Sequence, residues 1–192
     1  QKEDLIQVSI GQFYGIEIND FAVTVARTAL WIAESQMMKE TEDVVHMSLD
    51  FLPLRSYANI TEGNALRLDW ESVVPKHQLS YIMGNPPFVG YSLQSKEQKK
   101  DILSIYVNEK GKPYKTAGKI DYVAGWYFKA SQLIQGTNIR IAFVSTNSIT
   151  QGEQVAGVWK PLYDRFGIHI DFAYRTFRWD SEAKSKAHVH CV

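Results

Sequence analysis

Thiol chemistry is nearly absent from this 192-residue chain, which has a single cysteine, Cys191. That excludes an internal disulfide framework and any metal site built on several thiolates, and it fits a reducing compartment, with the cytoplasm as the expected location. Long apolar runs are missing as well. None approaches the roughly 20 residues that a membrane helix needs, and no charged segment leading into an apolar one opens the chain as a secretory signal would. The expectation is a soluble protein that is not exported. The third absence is an excess of charge of one sign. Lys plus Arg and Asp plus Glu both number 21, so the overall balance lacks the basic surplus usual in nucleic-acid binders. What remains, 45% hydrophobic and 22% charged residues, is ordinary globular material of about one domain, large enough to bury a core.

Charge is less even along the chain than in total. Between Lys96 and Lys119 seven lysines stand against Glu97, Asp101 and Glu109, a local surplus of 7 minus 3, or four. Such a run is read either as a solvated loop or as a loop that contacts phosphates.

The order of elements is strand, helix, strand, helix. An apolar run from Phe13 to Ile18, interrupted by Glu17 and closed by Asn19 and Asp20, predicts a buried strand with an acid at its carboxyl end. Apolar residues three and four apart from Phe21 to about Lys39 predict a helix, with Asn19 or Asp20 as its N-cap. The stretch from Thr41 to Ser56 has little regular pattern. A short strand then ends at Gly63-Asn64, and "LSYIM" forms the next. Beyond the lysine-rich insert, "DYVAGWYFKASQLIQ" predicts a helix ended by Gly136, followed by the strand "IRIAFVST", a helix around "QVAGVWKPLYDRFG" and a last strand, "IHIDFAY". This alternation specifies an α/β domain with a mostly parallel sheet. No internal repeat or linker marks a second domain.

Ligands of such sheets collect at the carboxyl ends of the strands, and the end at "YIMGNPPFVGY" is unusual. Asn85 carries both a carbonyl acceptor and an NH2 donor, so it suits a ligand with an amide or amine. Pro86 and Pro87 fix their own φ and hold the residues before them extended, which makes a rigid rim. Phe88 adds a flat face beside those polar groups, an arrangement suited to a planar ring gripped at its edge. Asn-Pro and Pro-Pro are also common turn punctuation, so the flanking strand ends matter. Glu17 is read either as accepting from two ribose hydroxyls, as the acid ending the second strand of a nucleotide-binding unit does, or as a solvent-exposed or N-capping acid. Asn64 is read either as an acceptor for the exocyclic amine of an adenine ring or as a turn residue.

With "FYGIEINDFAVTVARTALWIAESQM", "EGNALRLDW", "GNPPFVGY", "DYVAGWYFKA", "IAFVSTNSITQGEQV" and "FRWDSEAKSKAHVHCV" in this order, nearly the whole chain resembles the amino-group (N6-adenine) DNA methyltransferases. It is most similar to the methyltransferase segment of single-chain type II restriction-modification enzymes. The resemblance implies a Rossmann-like α/β fold with helices on both faces of the sheet, S-adenosylmethionine as cofactor and double-stranded DNA as partner. It implies cofactor contacts from Glu17, Ile18, Asn64 and Ala65, and a catalytic motif of Asn85, Pro86, Pro87 and Phe88. The Asn85 side-chain oxygen and the Pro86 carbonyl would accept the two N–H bonds of a flipped-out adenine, with Phe88 and Phe177 stacking on the base.

One departure bears on domain organisation. The family's first strand and its glycine-rich, methionine-wrapping loop should precede "FYGIEIN", and Gln1 to Gly11 contain no such loop. Residues 1–192 are therefore expected to be a partial catalytic domain, lacking its first strand, with the cofactor loop upstream, a target-recognition domain downstream and a nuclease domain elsewhere in the parent chain. Competing readings are a non-catalytic DNA-binding or scaffolding piece, or a methyltransferase acting on protein glutamine or RNA. Tyr122, Trp126 and Phe128, at helical spacing, are read as core. His188 and His190, two apart on an expected strand, form too weak a pattern to assign a metal.

Overall fold

The first strand forms inside the expected apolar run but is not the buried strand expected, since Tyr14 and the flanking Phe13 and Ile18 are exposed and the rest is half-buried. β1 (Tyr14–Glu17) pairs in parallel with β2 (Asn59–Glu62), with Tyr14 opposite Asn59 and Glu17 opposite Glu62. Helix α1 (Asp20–Val45) connects them, and it starts where it does because Asn19 is extended, with φ −150°, and its side chain accepts from the Ala22 N–H at 2.9 Å. Asp20 places an acid in the first turn, where the helix dipole favours it. Val23 of α1 is buried with Ala58 and Ile60, and Ala26 and Leu30 pack against them. The Arg27 guanidinium donates to the Ile60 carbonyl at 3.0 Å, tying helix to strand. The helix runs six residues beyond the expected end at Lys39. Apolar periodicity fades there, but Glu40, Glu42 and the valines 44 and 45 carry no stop signal, and only His46, in the left-handed region with φ 52°, closes it.

The computed structural model describes residues 6–49, 58–179 and 189–192. The chain divides into two compact units, Gln1–Pro75 and Lys76–Val192; β1, α1 and β2 belong to the first. Much of the irregular stretch expected before β2, and His188, lie outside the described residues.

In the second unit, β3 (Tyr81–Gly84) pairs in parallel with β4 (Arg140–Phe143), Gly84 opposite Phe143, and Val144 N–H extends the ladder to the Gly84 carbonyl at 3.1 Å. Between them lie α2 (Lys96–Ile105) and α3 (Ala124–Leu133). The lysine-rich insert is thus partly helical. Ser95 and Gln98 form a reciprocal capping box at its start, a signal that the run of charge obscures. After β4 comes α4 (Gly152–Phe166), closed by Gly167 at φ 59°. The expected strand at 168–174 is not formed. Ile170, Phe172 and Tyr174 are exposed, and pairing begins instead with β5 (Phe177–Trp179), antiparallel to β6 (Val189–Cys191). Alternating apolar residues report a face that can be buried, and they do not choose the partner that a ladder requires. β6 lies beside the continuation of β4: Thr146 bridges Cys191, and Ser145 and Val192 exchange backbone hydrogen bonds of 3.0 and 2.8 Å.

The three helices of this unit enclose Ile102, Tyr106, Phe128, Val158 and Leu162, all buried. The rings of Tyr106 and Phe128 lie 4.5 Å apart, and Phe166 meets Phe128 edge-on at 5.0 Å, offset geometries that aromatic quadrupoles favour. Tyr122 and Phe128 are core residues, as their spacing suggests, and Trp126 is half-buried. Helix α4 contains Pro161, which has no N–H for the carbonyl of Gly157 four residues before it. The Tyr106 hydroxyl fills that role, lying 2.8 Å from the Gly157 carbonyl and 2.7 Å from that of Val158. Among the described residues no helix is long and apolar enough to cross a membrane.

Candidate active site at the strand ends

β3 delivers Asn85 at its carboxyl end. The Asn85 amide is exposed and, among the described residues, takes part in no hydrogen bond, whereas Pro86 directly after it is buried and Pro87 exposed. The buried pyrrolidine anchors the backbone while the neighbouring amide stays accessible. The Pro87 carbonyl accepts from Val89 N–H at 3.1 Å, so the chain turns at once, and Phe88 is half-buried at the turn.

The segment after Phe88 is fastened in several places. Val89 accepts through its carbonyl from Tyr122 N–H at 2.9 Å, Tyr91 N–H donates to Asp121 Oδ1 at 2.9 Å, and the buried Gln94 donates through Nε2 to the Ile120 carbonyl at 2.9 Å. At the end of neighbouring β4, the buried Ser145 hydroxyl lies 2.7 Å from the Tyr127 hydroxyl. Burial pushes the Tyr127 phenol above its ordinary range, and the Ser145 bond opposes that in part. Three residues on, Ser148 donates to Asp121 Oδ2 at 2.5 Å. Asp121 and Ser148 were not singled out from the sequence; the only local signal is an acid placed next to the apolar Ile120 at the head of a helix.

Phe177, the first residue of β5, is 42% exposed and stands opposite Cys191, whose strand borders the continuation of β4. Asn85 and Phe177 thus belong to the same unit, and backbone pairing runs from β3 through β4 and β6 to β5.

The other strand ends belong to the first unit. Glu17 ends β1 half-buried, and Ile18 beyond it is exposed. Gly63 N–H donates to the Glu17 carbonyl at 2.7 Å, which sets Glu17 beside the turn that carries Asn64 and Ala65. Asn64 acts here as a turn residue: its side-chain oxygen accepts from Leu66 N–H at 2.9 Å, and its carbonyl accepts from Arg67 and Leu68. The oxygen offered above to an exocyclic amine is therefore engaged within the chain, in the Asx-turn manner. Ala65 gives its carbonyl to the Trp70 indole N–H at 2.8 Å.

An open depression of about 510 Å3 lies among Lys76, His77, Ser80, Tyr81 and Arg140, at the amino ends of β3 and β4. Parallel sheets bind ligands at their carboxyl ends, and none of Glu17, Asn64, Asn85, Phe88 and Phe177 borders it, so concavity is a poor guide to the site here.

The sequence profile of the MmeI DNA-methyltransferase domain matches residues 1–192, the whole chain. The chain belongs to the MmeI DNA-methyltransferase domain family. Two relatives agree. DNA methyltransferase A of Bacillus subtilis (strain 168) is 45% identical over 188 residues, covering 96% of this chain and 21% of its own length. The structure of the type IIL restriction-modification enzyme MmeI in complex with DNA matches with a TM-score of 0.90 at 47% identity, covering 98% of this chain and 25% of that one. The chain thus spans between a fifth and a quarter of the proteins it matches. At this identity the fold carries over: this MmeI-type domain is an α/β, Rossmann-like methyltransferase fold, and the strands and helices described above are parts of it.

Proposed function

We propose that this chain is the catalytic methyltransferase segment of a restriction-modification enzyme, and that the parent protein moves the methyl group of S-adenosylmethionine to N6 of an adenine flipped out of double-stranded DNA. The observation that carries this reading is the accessible Asn85 amide at the end of β3, followed directly by a buried Pro86 and, two residues later, a half-buried Phe88. The amine of adenine is a weak nucleophile because its lone pair is delocalised into the ring. An acceptor pair made of the Asn85 side-chain oxygen and the Pro86 carbonyl would take both N–H bonds and draw the lone pair out of the ring, toward the methyl carbon. When bound, S-adenosylmethionine supplies that methyl as an electrophile on a positively charged sulfur. The residues contribute position and electrostatics, with no covalent enzyme intermediate.

The donor set at the ends of β1 and β2 suits the cofactor. The Glu17 carboxylate has two acceptor oxygens for two ribose hydroxyls, and the exposed Ile18 and half-buried Ala65 offer apolar contact to the adenosine ring system. Flipping a base costs a few kcal/mol, which stacking on Phe88 and Phe177 would offset. Target-recognition and nuclease domains would lie elsewhere in the parent chain.

The deciding experiment supplies the parent enzyme with labelled S-adenosylmethionine and duplex DNA, then digests the DNA to nucleosides. Label in N6-methyladenine is the expected result. Label confined to cytosine, to RNA or to a protein glutamine would sink the reading.

A further inference from the structure

We propose that Asp121 is a positioning residue that latches the segment following the Asn85–Phe88 motif to the loop following β4. The inference rests on the methyltransferase reading for its kinetic consequence, while the latch itself is a matter of geometry. Asp121 is 7% exposed, and its two oxygens face in different directions along the chain: Oδ1 accepts from the Tyr91 backbone N–H at 2.9 Å, and Oδ2 accepts from the Ser148 hydroxyl at 2.5 Å. One carboxylate therefore joins the chain leaving β3, which carries the motif, to the chain leaving β4, its neighbour in parallel pairing. The aspartate is itself fixed. Its N–H donates to Gln154 Oε1 of α4 at 3.0 Å, and Gln154 returns through Nε2 to the Lys119 carbonyl at 2.7 Å. Ser148 is oriented in turn by the Thr146 hydroxyl at 2.7 Å.

A buried carboxylate is expensive unless hydrogen bonds satisfy it, and here both oxygens are committed to loop groups. Removing the carboxylate leaves the Tyr91 N–H without its acceptor while the hydrophobic core under α2, α3 and α4 stays intact. Because Tyr91 is three residues from Phe88, slack at that point passes directly into the motif. A displacement of about 1 Å at a reacting centre costs on the order of a hundredfold in rate.

The test uses the parent enzyme with Asp121→Ala, Asp121→Asn and Ser148→Ala, reading kcat, KM for DNA, cofactor affinity, thermal unfolding and amide hydrogen exchange across residues 89–94. The latch predicts that Asp121→Ala lowers kcat by about ten- to a hundredfold, leaves cofactor affinity within about threefold and speeds exchange at Tyr91. Asp121→Asn keeps an acceptor for Tyr91 and should restore most of both. Wild-type kcat in Asp121→Ala, or a lost kcat with unchanged exchange at Tyr91, overturns the proposal. If Asp121→Ala does not fold, Ser148→Ala decides: a several-fold lower kcat with faster exchange supports the latch, and wild-type values of both refute it. If the unmodified parent transfers no methyl to DNA, the functional reading fails by itself, and exchange at Tyr91 still tests the latch.

Discussion

The backbone N–H of Gly63 donates to the carbonyl of Glu17 at 2.7 Å, so the ends of β1 and β2 are closed against each other by a bond to the residue proposed as the ribose contact. Gly63 sits at φ +153°, and a Cβ there would lie 2.6 Å from Leu68 Cδ1. The backbone conformation therefore favours glycine at the turn, and any larger residue also requires the Leu68 side chain to shift. Gly63→Ala should destabilise the protein by about 1 to 3 kcal/mol, the usual cost of a disfavoured backbone region, and should weaken cofactor binding by the parent. Urea unfolding and calorimetry check the two effects, and an unchanged midpoint would show that the turn relaxes freely.

Asn85→Ala in the parent should act on turnover. It removes the acceptor that orients the amine and leaves Pro86, Pro87 and the Glu17 end of β1 in place, so cofactor affinity should hold. By analogy with the loss of one oxyanion-hole donor, kcat should fall about 100- to 1,000-fold. Single-turnover methyl transfer measures it, and near-normal turnover would reduce Asn85 to a turn residue.

Phe88→Ala and Phe177→Ala should differ from that pattern. Each removes a stacking face, worth about 1 to 3 kcal/mol per base, so retention of the flipped base should weaken along with turnover. A fluorescent adenine analogue at the target position reports this as lost signal on binding. A variant that keeps the full signal would remove that ring from the stack.

Alkaline stability should depend on Tyr106. Burial, and to a lesser degree the neighbouring Tyr114, raise its phenol far above the ordinary value of 10.0. The sign follows from linkage: above about pH 10 the unfolded chain loses this proton while the folded one keeps it, so stability is full below that pH and falls as pH rises, with a slope of up to about 1.4 kcal/mol per pH unit for one group. Tyr106→Phe should flatten that slope while lowering stability at neutral pH by about 1 to 2 kcal/mol, because a buried hydrogen bond is lost. Denaturant titrations at several alkaline pH values compare the two proteins.

Features encoded by neighbouring residues were legible in the sequence. The Asn19 cap, the strand ending at Glu17 and the GNPPF turn each have a local cause, and the structure shows an accessible amide where the sequence puts the unusual strand end. What the residues left open or hid depended on competition or distance. The capping box of Ser95 and Gln98 was hidden in a charged run, and the alternation of 168–174 named a face without a partner. Asn64 turned its oxygen back on its own chain, a choice the composition of the turn leaves open. The Asp121 latch joins residues 30 and 27 positions apart, and no periodicity carries that information.

The proline in α4 makes positions 106 and 161 depend on each other. Pro161 leaves the Gly157 carbonyl without its helical donor, and the Tyr106 hydroxyl answers it from the end of α2. Tyrosine at 106 is therefore worth most where 161 is proline, and a residue with an N–H at 161 would ease the demand. Pro161→Ala should soften the effect of Tyr106→Phe, an epistasis that a double-mutant cycle can measure. Among relatives, the two positions are expected to change together more often than either changes alone.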